Sequence, residues 1–531
     1  MDSYDYIIVG SGSAGGVLAN RLSADPRRQV LLLEAGPASH WLSPIPIGVA
    51  KLVDDPAANW CYESLAQGAM AGRRLGVPRG RLLGGSSAIN GLVFVRGQAE
   101  DYDTWAQMGN RGWSYADVLP AFKSLECYAG GTDATRGRDG ALLVTEADDK
   151  NLLYDALRAA GRELGIADNP DYNGANQEGV VTAQTTIANG RRMSVARCFL
   201  EPVKRRPNLH IVTKALARRL LFDGRRCCGV EYQVGDARFS AQSRAEVVLS
   251  AGAINSPQLL ELSGIGQAEI LKRHGIEVRH ALAGVGENLR DHLSPRMGWG
   301  LSAPRTSYND RARGLGLLWQ VVRYAATRRG FLSLPTAPIL AFLKSREGLM
   351  APDIQLHFMP YTYTADRKLH KRPGMTVVLY QMRPESRGCV HLGGADPLVE
   401  PTIDFNFLAT ELDRRTTISA VRWTRKLVNT QALGRVRGDE FKPGAQVETD
   451  DQILDWVRAT AETAYHPVGT CKMGQDPLAV VDSRLRVHGV SNLRVADASI
   501  MPTLVSGNTN AACMMIGERA AQMIIEDETR S

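Results

Sequence analysis

Several common classes of protein are marked by features that this chain lacks. Its eight cysteines are scattered over 531 residues, and only Cys227 and Cys228 are adjacent. Such scatter offers no disulfide framework and fits a reducing compartment. No C-x-x-C, H-E-x-x-H or H-x-E with a following C-x-x-C occurs, so no metal-ligand spacing is present. No run of about 18 apolar residues is found, the minimum for a membrane-crossing helix. Charge is not concentrated either. Sixty-three Lys and Arg against 56 Asp and Glu leave a formal +7, and the basic residues are dispersed rather than gathered into a nucleic-acid stripe. Internal repeats and low-complexity tracts are absent. Met1 is followed almost at once by an apolar segment, so a signal peptide is not expected.

What is present is a core-sized apolar fraction of 44%. The length suits three or four domain-sized units, or equally one large two-domain α/β enzyme. Tyr4 to Val9 reads as a buried strand, too short for a typical helix. Gly10-Ser11-Gly12-Ser13-Ala14-Gly15 follows, and Val17 to Leu22 continues with helical spacing. Gly10 permits a tight turn, Gly12 lets the backbone approach a pyrophosphate, and Gly15 lets helix pack on strand. The helix start offers unpaired N–H groups to phosphates. A second strand, Gln29 to Leu33, ends at Glu34, placed to accept hydrogen bonds from a ribose diol and to disfavour a 2′-phosphate. The turn by itself does not separate NAD from FAD.

Near the other end stands Tyr465-His466-Pro467-Val468-Gly469-Thr470-Cys471-Lys472-Met473-Gly474, and later Gly507-Asn508-Thr509-Asn510-Ala511, where Asn510 opens an apolar helix. Between these ends lie residues 79–102 (RGRLLGGSSAINGLVFVRGQAEDYDT), 252–266 (GAINSPQLLELSGIG), 284–292 (GVGENLRDH), 384–388 (PESRG) and 494–499 (RVADAS). With these motifs in this order, most of the chain resembles the glucose–methanol–choline (GMC) oxidoreductases, and within them the bacterial membrane-associated alcohol dehydrogenases and choline-dehydrogenase-like proteins.

The resemblance implies bound FAD and an α/β fold, α+β in part. A Rossmann-like, discontinuous FAD-binding domain would comprise residues 1–155, 190–298 and 462–531. An antiparallel-sheet substrate-binding domain would comprise 156–189 and 299–461. It places Ser13, Ala14, Ala35, Asp497, Ala498, Asn508 and Thr509 beside the cofactor, with Ser87 near its phosphates. Asn90, Gly91, Leu92 and Val93 would lie against the flavin ring, and Ala217 against the adenine. Some members carry a histidine before the equivalent of Asn90 that links covalently to the flavin; this chain has Ile89, which implies non-covalent FAD.

Oxidising an alcohol removes a hydroxyl proton and a carbon-bound hydride. By resemblance His466 is the base, and Asn510 the residue that orients the substrate oxygen. The positive end of the helix beginning at Asn510 would favour an anionic reduced flavin. His357 and Met359, on an alternating strand, are candidate substrate contacts, although core roles suit His357 and His292 at least as well.

The reading is an FAD-dependent dehydrogenase of fairly apolar primary alcohols that passes electrons to a quinone or similar acceptor. An oxidase using O2, a choline dehydrogenase, a flavin-containing hydroxynitrile lyase and an NAD-dependent dehydrogenase are the alternatives. Choline would need an anionic or aromatic cage, to which no particular acid in 299–361 can be assigned.

Residues 311–346 combine Leu, Trp and Val with arginines; six arginines lie between positions 305 and 330. A helix of this kind could rest on an anionic membrane surface, or be a substrate-domain helix with a solvated basic face. Pro335 and Pro338 would follow it as a loop over the cavity mouth. The expected location is the cytoplasm, with peripheral contact at the inner face of the membrane. The sequence leaves the oligomeric state open.

Overall fold

Two sheets organise the structure, a computed structural model that describes residues 2–364 and 368–530. The first sheet runs Leu209–Thr213, Val30–Glu34, Asp2–Val9 and Ala237–Leu249, all parallel. Leu493–Val495 adds a further parallel strand against the end of Ala237–Leu249. All five residues of Val30–Glu34 are buried, as expected of a parallel strand covered on both faces. The strand Ala237–Leu249 is long enough to start an antiparallel meander with Arg226–Val234 and Ala215–Asp223 from its first half.

Gly10 has φ 99°, and a Cβ there would lie 2.4 Å from the Ser250 carbonyl oxygen. At Gly15 a Cβ would come within 2.0 Å of the Gly10 carbonyl oxygen. Only glycine lets the chain leave the first strand, turn and start the helix Gly15–Leu22 this tightly. The C-terminal helix Asn510–Arg530 packs on that helix, and an Arg21–Glu518 ion pair of 2.7 Å joins them.

The second sheet is antiparallel throughout, in the order Arg437–Lys442, Arg296–Leu301, Gly374–Gln381, Ile354–Met359, Ile339–Leu343, Gly179–Thr182. Side chains alternate across its central strands. Ile354, Leu356 and Phe358 join a core with Ile418 and Val421 of the helix Glu411–Val428. His357 and Met359, on the opposite face, line a cavity between the sheets, as do Val378 and Tyr380 of the next strand.

The strands of the first sheet all fall within 1–155, 190–298 and 462–531. The second sheet departs from the expected segments at one place: its strand Arg296–Leu301 begins before position 299. The segment Gly130–Gly140 is pinned by a buried side chain. Arg136 reaches inward to Glu126 (2.8 Å) and Asp171 (2.5 Å), and lies 3.9 Å from the Tyr128 ring centroid. Among the described residues, no helix is long and apolar enough to cross a membrane.

Candidate active site

The cavity between the sheets has a volume of about 400 Å³. One end is formed by Gly10, Gly12, Ser13 and Ala14 with Glu34, Ala35 and Ala217. The middle is walled by Asn90, Gly91, Leu92 and Val93 on one side, and by Asp497, Ala498, Asn508, Thr509 and Asn510 on another. The far end carries His357, Met359, Tyr361, Tyr363, Tyr380 and His466. The glycine turn offers bare backbone to a dinucleotide phosphate, because a Cβ at Gly12 would meet nothing closer than 4.0 Å. Glu34 accepts from the backbone N–H and hydroxyl of Ser11 and from Gly36 N at 2.8 Å, which locks the carboxylate beside the phosphate turn.

Gly15, part of the nucleotide motif, packs against the turn and does not itself line the cavity. One expected cofactor contact stands elsewhere. Ser87 is buried off the wall, donating to Gly84 O at 2.6 Å and accepting from Val195 N at 3.0 Å; the cavity meets Ser86 instead. A residue with no sequence signal holds this loop in place. Arg192 is fully buried and donates to Asn90 O and Asn90 Oδ1, both at 2.7 Å, and to Ser43 O at 2.9 Å. Burial pulls its guanidinium down to about 9. Leu92, two residues on, has φ 70°, the kind of backbone strain that concentrates where a chain is shaped around a ligand.

His466 lies on the cavity wall with a second asparagine beside it. Its Nε2 lies 3.2 Å from Asn508 Nδ2. Asn510, expected to orient the substrate oxygen, also lines the cavity, and its Oδ1 accepts from Ser13 Oγ at 2.7 Å, tying the C-terminal helix to the nucleotide turn. Nδ1 of His466 lies 3.0 Å from Nδ1 of His292. The Nε2 of His292 lies 2.9 Å from the Met382 carbonyl oxygen, which can only accept. His292 Nε2 therefore carries the proton. Burial holds His292 neutral, with its pKa pushed down to about 4, so its Nδ1 is bare. The proton between the two rings then belongs to His466 Nδ1, and His466 Nε2 presents a lone pair. Asn508 Nδ2 donates to that lone pair.

The same direction continues backward. Asn508 Oδ1 accepts from Gln355 Nε2 at 3.3 Å, Gln355 Oε1 accepts from the Tyr380 hydroxyl at 2.6 Å, and the Tyr380 oxygen accepts from His357 Nε2 at 3.0 Å. Six hydrogen bonds thus run one way, from His357 to the Met382 carbonyl. Asp291 clamps the two rings from behind, accepting from His292 N at 2.7 Å, His466 N at 2.9 Å and Thr463 Oγ1 at 2.6 Å. Burial raises its carboxyl to about 6. His466 itself is held well below the ordinary histidine range, first by burial and then by the fields of His292, His357 and Arg79. The arrangement is a neutral base with its lone pair on the cavity and an amide N–H beside it. No group of three or more potential metal ligands occurs among the described residues.

The domain models of the GMC oxidoreductases match residues 4–294 and 384–517. The chain belongs to this family. An alcohol dehydrogenase [acceptor] of Pseudomonas putida is 43% identical over 98% of this chain and 96% of its own. An oxygen-dependent choline dehydrogenase of Brucella anthropi is 41% identical over 98% and 95%. Among solved structures, pyridoxine 4-oxidase from Mesorbium loti superposes with a TM-score of 0.89 at 30% identity, covering 98% of each chain. GMC oxidoreductases are FAD flavoproteins, and the cavity is shaped for such a cofactor.

The geometry separates the two asparagines. Asn508→Ala is expected to slow anaerobic flavin reduction by alcohol by about 100-fold or more, the scale of losing one oriented donor. Asn510→Ala is expected to leave that rate close to wild type and weaken flavin retention instead; stopped-flow reduction of the two variants, with flavin content by absorbance, checks this, and the reverse pattern would return the role to Asn510. The low pKa of His466 also fixes the acid limb of the reaction. A base with a lowered pKa stays neutral to lower pH, so the reduction rate should hold its plateau well below the ordinary histidine value of about 6.5. An inflection near 6.5 in the pH profile would contradict the burial of this base.

Proposed function

We propose that the protein oxidises neutral primary alcohols to aldehydes with non-covalently bound FAD, and passes the electrons to an acceptor of the quinone class. The observation that carries this reading is the bare Nε2 of His466 facing the cavity beside the Asn508 amide. The substrate hydroxyl would displace the direct contact of 3.2 Å between them and engage both groups. Its oxygen accepts from the amide of Asn508, and its proton passes to His466 Nε2. Bound FAD supplies the acceptor, at flavin N5, for the hydride that leaves the carbinol carbon. Loss of the proton and the hydride together converts the C–O single bond to a carbonyl. Asp291 accepts from the His466 backbone N–H and so holds the loop that carries the base. The proton on His466 Nδ1 remains on the hydrogen bond to His292, so the ring keeps its orientation through turnover.

Choice of substrate is read from the far end of the cavity. Among the described lining residues the carboxylates are Glu34 and Asp497. Glu34 serves the nucleotide turn, and Asp497 accepts from Gly252 N at 2.9 Å and from Ser256. The substrate end instead shows Met359, Val378, Tyr361, Tyr363 and Arg296, whose guanidinium pairs with Glu462 at 2.8 Å. Among the described residues no carboxylate lines that end, since Glu462 is spent on Arg296, and the Arg296 guanidinium opposes a second cation; an alkyl or aryl chain finds Met359, Val378 and the tyrosine faces. Ile89, next to the flavin-facing loop, offers no nucleophile for a covalent flavin link, which supports non-covalent binding. The alcohol dehydrogenase [acceptor] among the relatives supports an acceptor other than O2.

The test is the visible spectrum of the purified protein under anaerobic conditions, before and after adding a benzylic or medium-chain primary alcohol, and separately choline. Bleaching by the neutral alcohol well ahead of choline is expected, and acid precipitation of the same sample should release the yellow colour into the supernatant. Faster bleaching by choline would overturn the substrate class. A flavin that stays oxidised with every alcohol would overturn alcohol oxidation.

A further inference from the structure

The helix Gly314–Thr327 stands on the surface with one buried residue, Tyr324, whose hydroxyl donates to Gly190 O at 2.8 Å. Its apolar side chains point outward. Leu315 is 84% exposed, Leu318 59%, Trp319 63% and Val322 51%, and this i, i+3, i+4, i+7 spacing puts the four on one face. A soluble surface seldom leaves so many large apolar groups together without a partner. At 14 residues the helix is about 21 Å long, too short to cross a hydrocarbon core of about 30 Å. It is long enough to lie in the plane of an interface.

Its surroundings carry charge of one sign. No Asp or Glu occurs from Arg311 through Arg346, a stretch that contains Arg311, Arg313, Arg323, Arg328 and Arg329. Arg323, Arg328 and Arg329 are exposed. Arg313 spends its hydrogen bonds on the carbonyls of Leu369, His370 and Lys371 rather than on a carboxylate. Asp149, which feels Arg311, is an acid with two tyrosine hydroxyls on it and faces the interior. A long apolar face bordered by arginines complements a surface that is apolar beneath and anionic above. The helix is also attached to the cavity wall: the turn Phe331–Ser333 follows it, Phe331 and Leu334 pack on Tyr308, and Thr336 lines the cavity.

We propose that the Gly314–Thr327 helix docks this enzyme on an anionic lipid bilayer, with Leu315, Leu318, Trp319 and Val322 in the acyl–headgroup boundary and the arginines at the phosphates. The cavity wall at Thr336 then lies close to the lipid, where apolar alcohols and quinone-class acceptors concentrate. This concerns where the enzyme works and is independent of the chemistry at His466.

Flotation of the FAD-loaded full chain with phosphatidylcholine vesicles, with and without phosphatidylglycerol, tests the proposal. Wild type is expected to float with the anionic vesicles, and to be released by salt. Leu318→Ser with Trp319→Ser should weaken partition by at least about tenfold, as loss of two buried apolar side chains implies. Arg323→Ala should weaken it about fivefold, the scale of one basic residue at an anionic surface. Because these side chains are exposed, turnover of a soluble alcohol with a soluble dye should be unchanged in every variant; loss of turnover in wild type would instead count against the proposed reaction. No flotation of wild type, or equal flotation of the double-serine variant, overturns the docking. Sedimentation velocity covers the remaining occupant: a dimer that becomes a monomer in the double-serine variant would assign the face to a second copy of this chain.

Discussion

The Met382 carbonyl oxygen accepts a hydrogen bond and has no proton to give, and the order of the active site follows from that asymmetry. It places the proton of His292 on Nε2, which leaves Nδ1 to accept from His466 and turns the lone pair of His466 toward the cavity. Each further link then has one permitted direction, through Asn508, Gln355 and Tyr380 to His357. Burial makes the assignment robust, because His292 and His357 are neutral at any ordinary pH, and buried polar groups that are all satisfied hold one arrangement. The base owes its readiness to its neighbours as much as to its own identity.

The fold supplies this chain from separate places. Met382 directly follows Gly374–Gln381, and Gln355, His357 and Tyr380 come from adjacent antiparallel strands of the second sheet on the face opposite the Ile418–Val421 core. His292 and Asp291 lie where the chain crosses from the first sheet to the second. His466 and Asn508 belong to loops that return to the first sheet and its C-terminal helix. The base is thus held at the seam between two sheets, while the nucleotide turn and Glu34 belong to another part of the same cavity. That separation lets one sheet grip a cofactor while the other shapes the substrate.

Much of this was legible in the sequence where the cause is local. Gly10 and Gly15 are dictated by contacts within a single turn, and the apolar run Val30 to Leu33 by burial on two faces. His466 stands out through the motif around it. The rest depends on residues brought together across hundreds of positions. Nothing in the spacing shows that His292 meets His466, or that Gln355 meets Asn508. Asn508 and Asn510 are of one residue type, two apart, at a helix entry, where the backbone changes from extended to helical and rotates each side chain differently. Which of them faces the base is decided by that rotation. Ser86 and Ser87 pose the same problem one residue apart. Arg192 had no pattern to betray it, since its partners are carbonyl oxygens of a distant loop. The helix after Arg313 was visible as basic and amphipathic, yet only the structure shows its apolar face turned outward.

The most direct test of the account is the nitrogen-15 spectrum of histidine-labelled protein, with His292→Gln and His466→Gln used to assign the two rings. The hydrogen-bond chain requires opposite tautomers: a proton on Nε2 of His292 and a proton on Nδ1 of His466, both rings neutral at pH 7. Finding His466 protonated on Nε2, or His292 on Nδ1, would reverse the direction of the chain and remove the structural basis for His466 as the base.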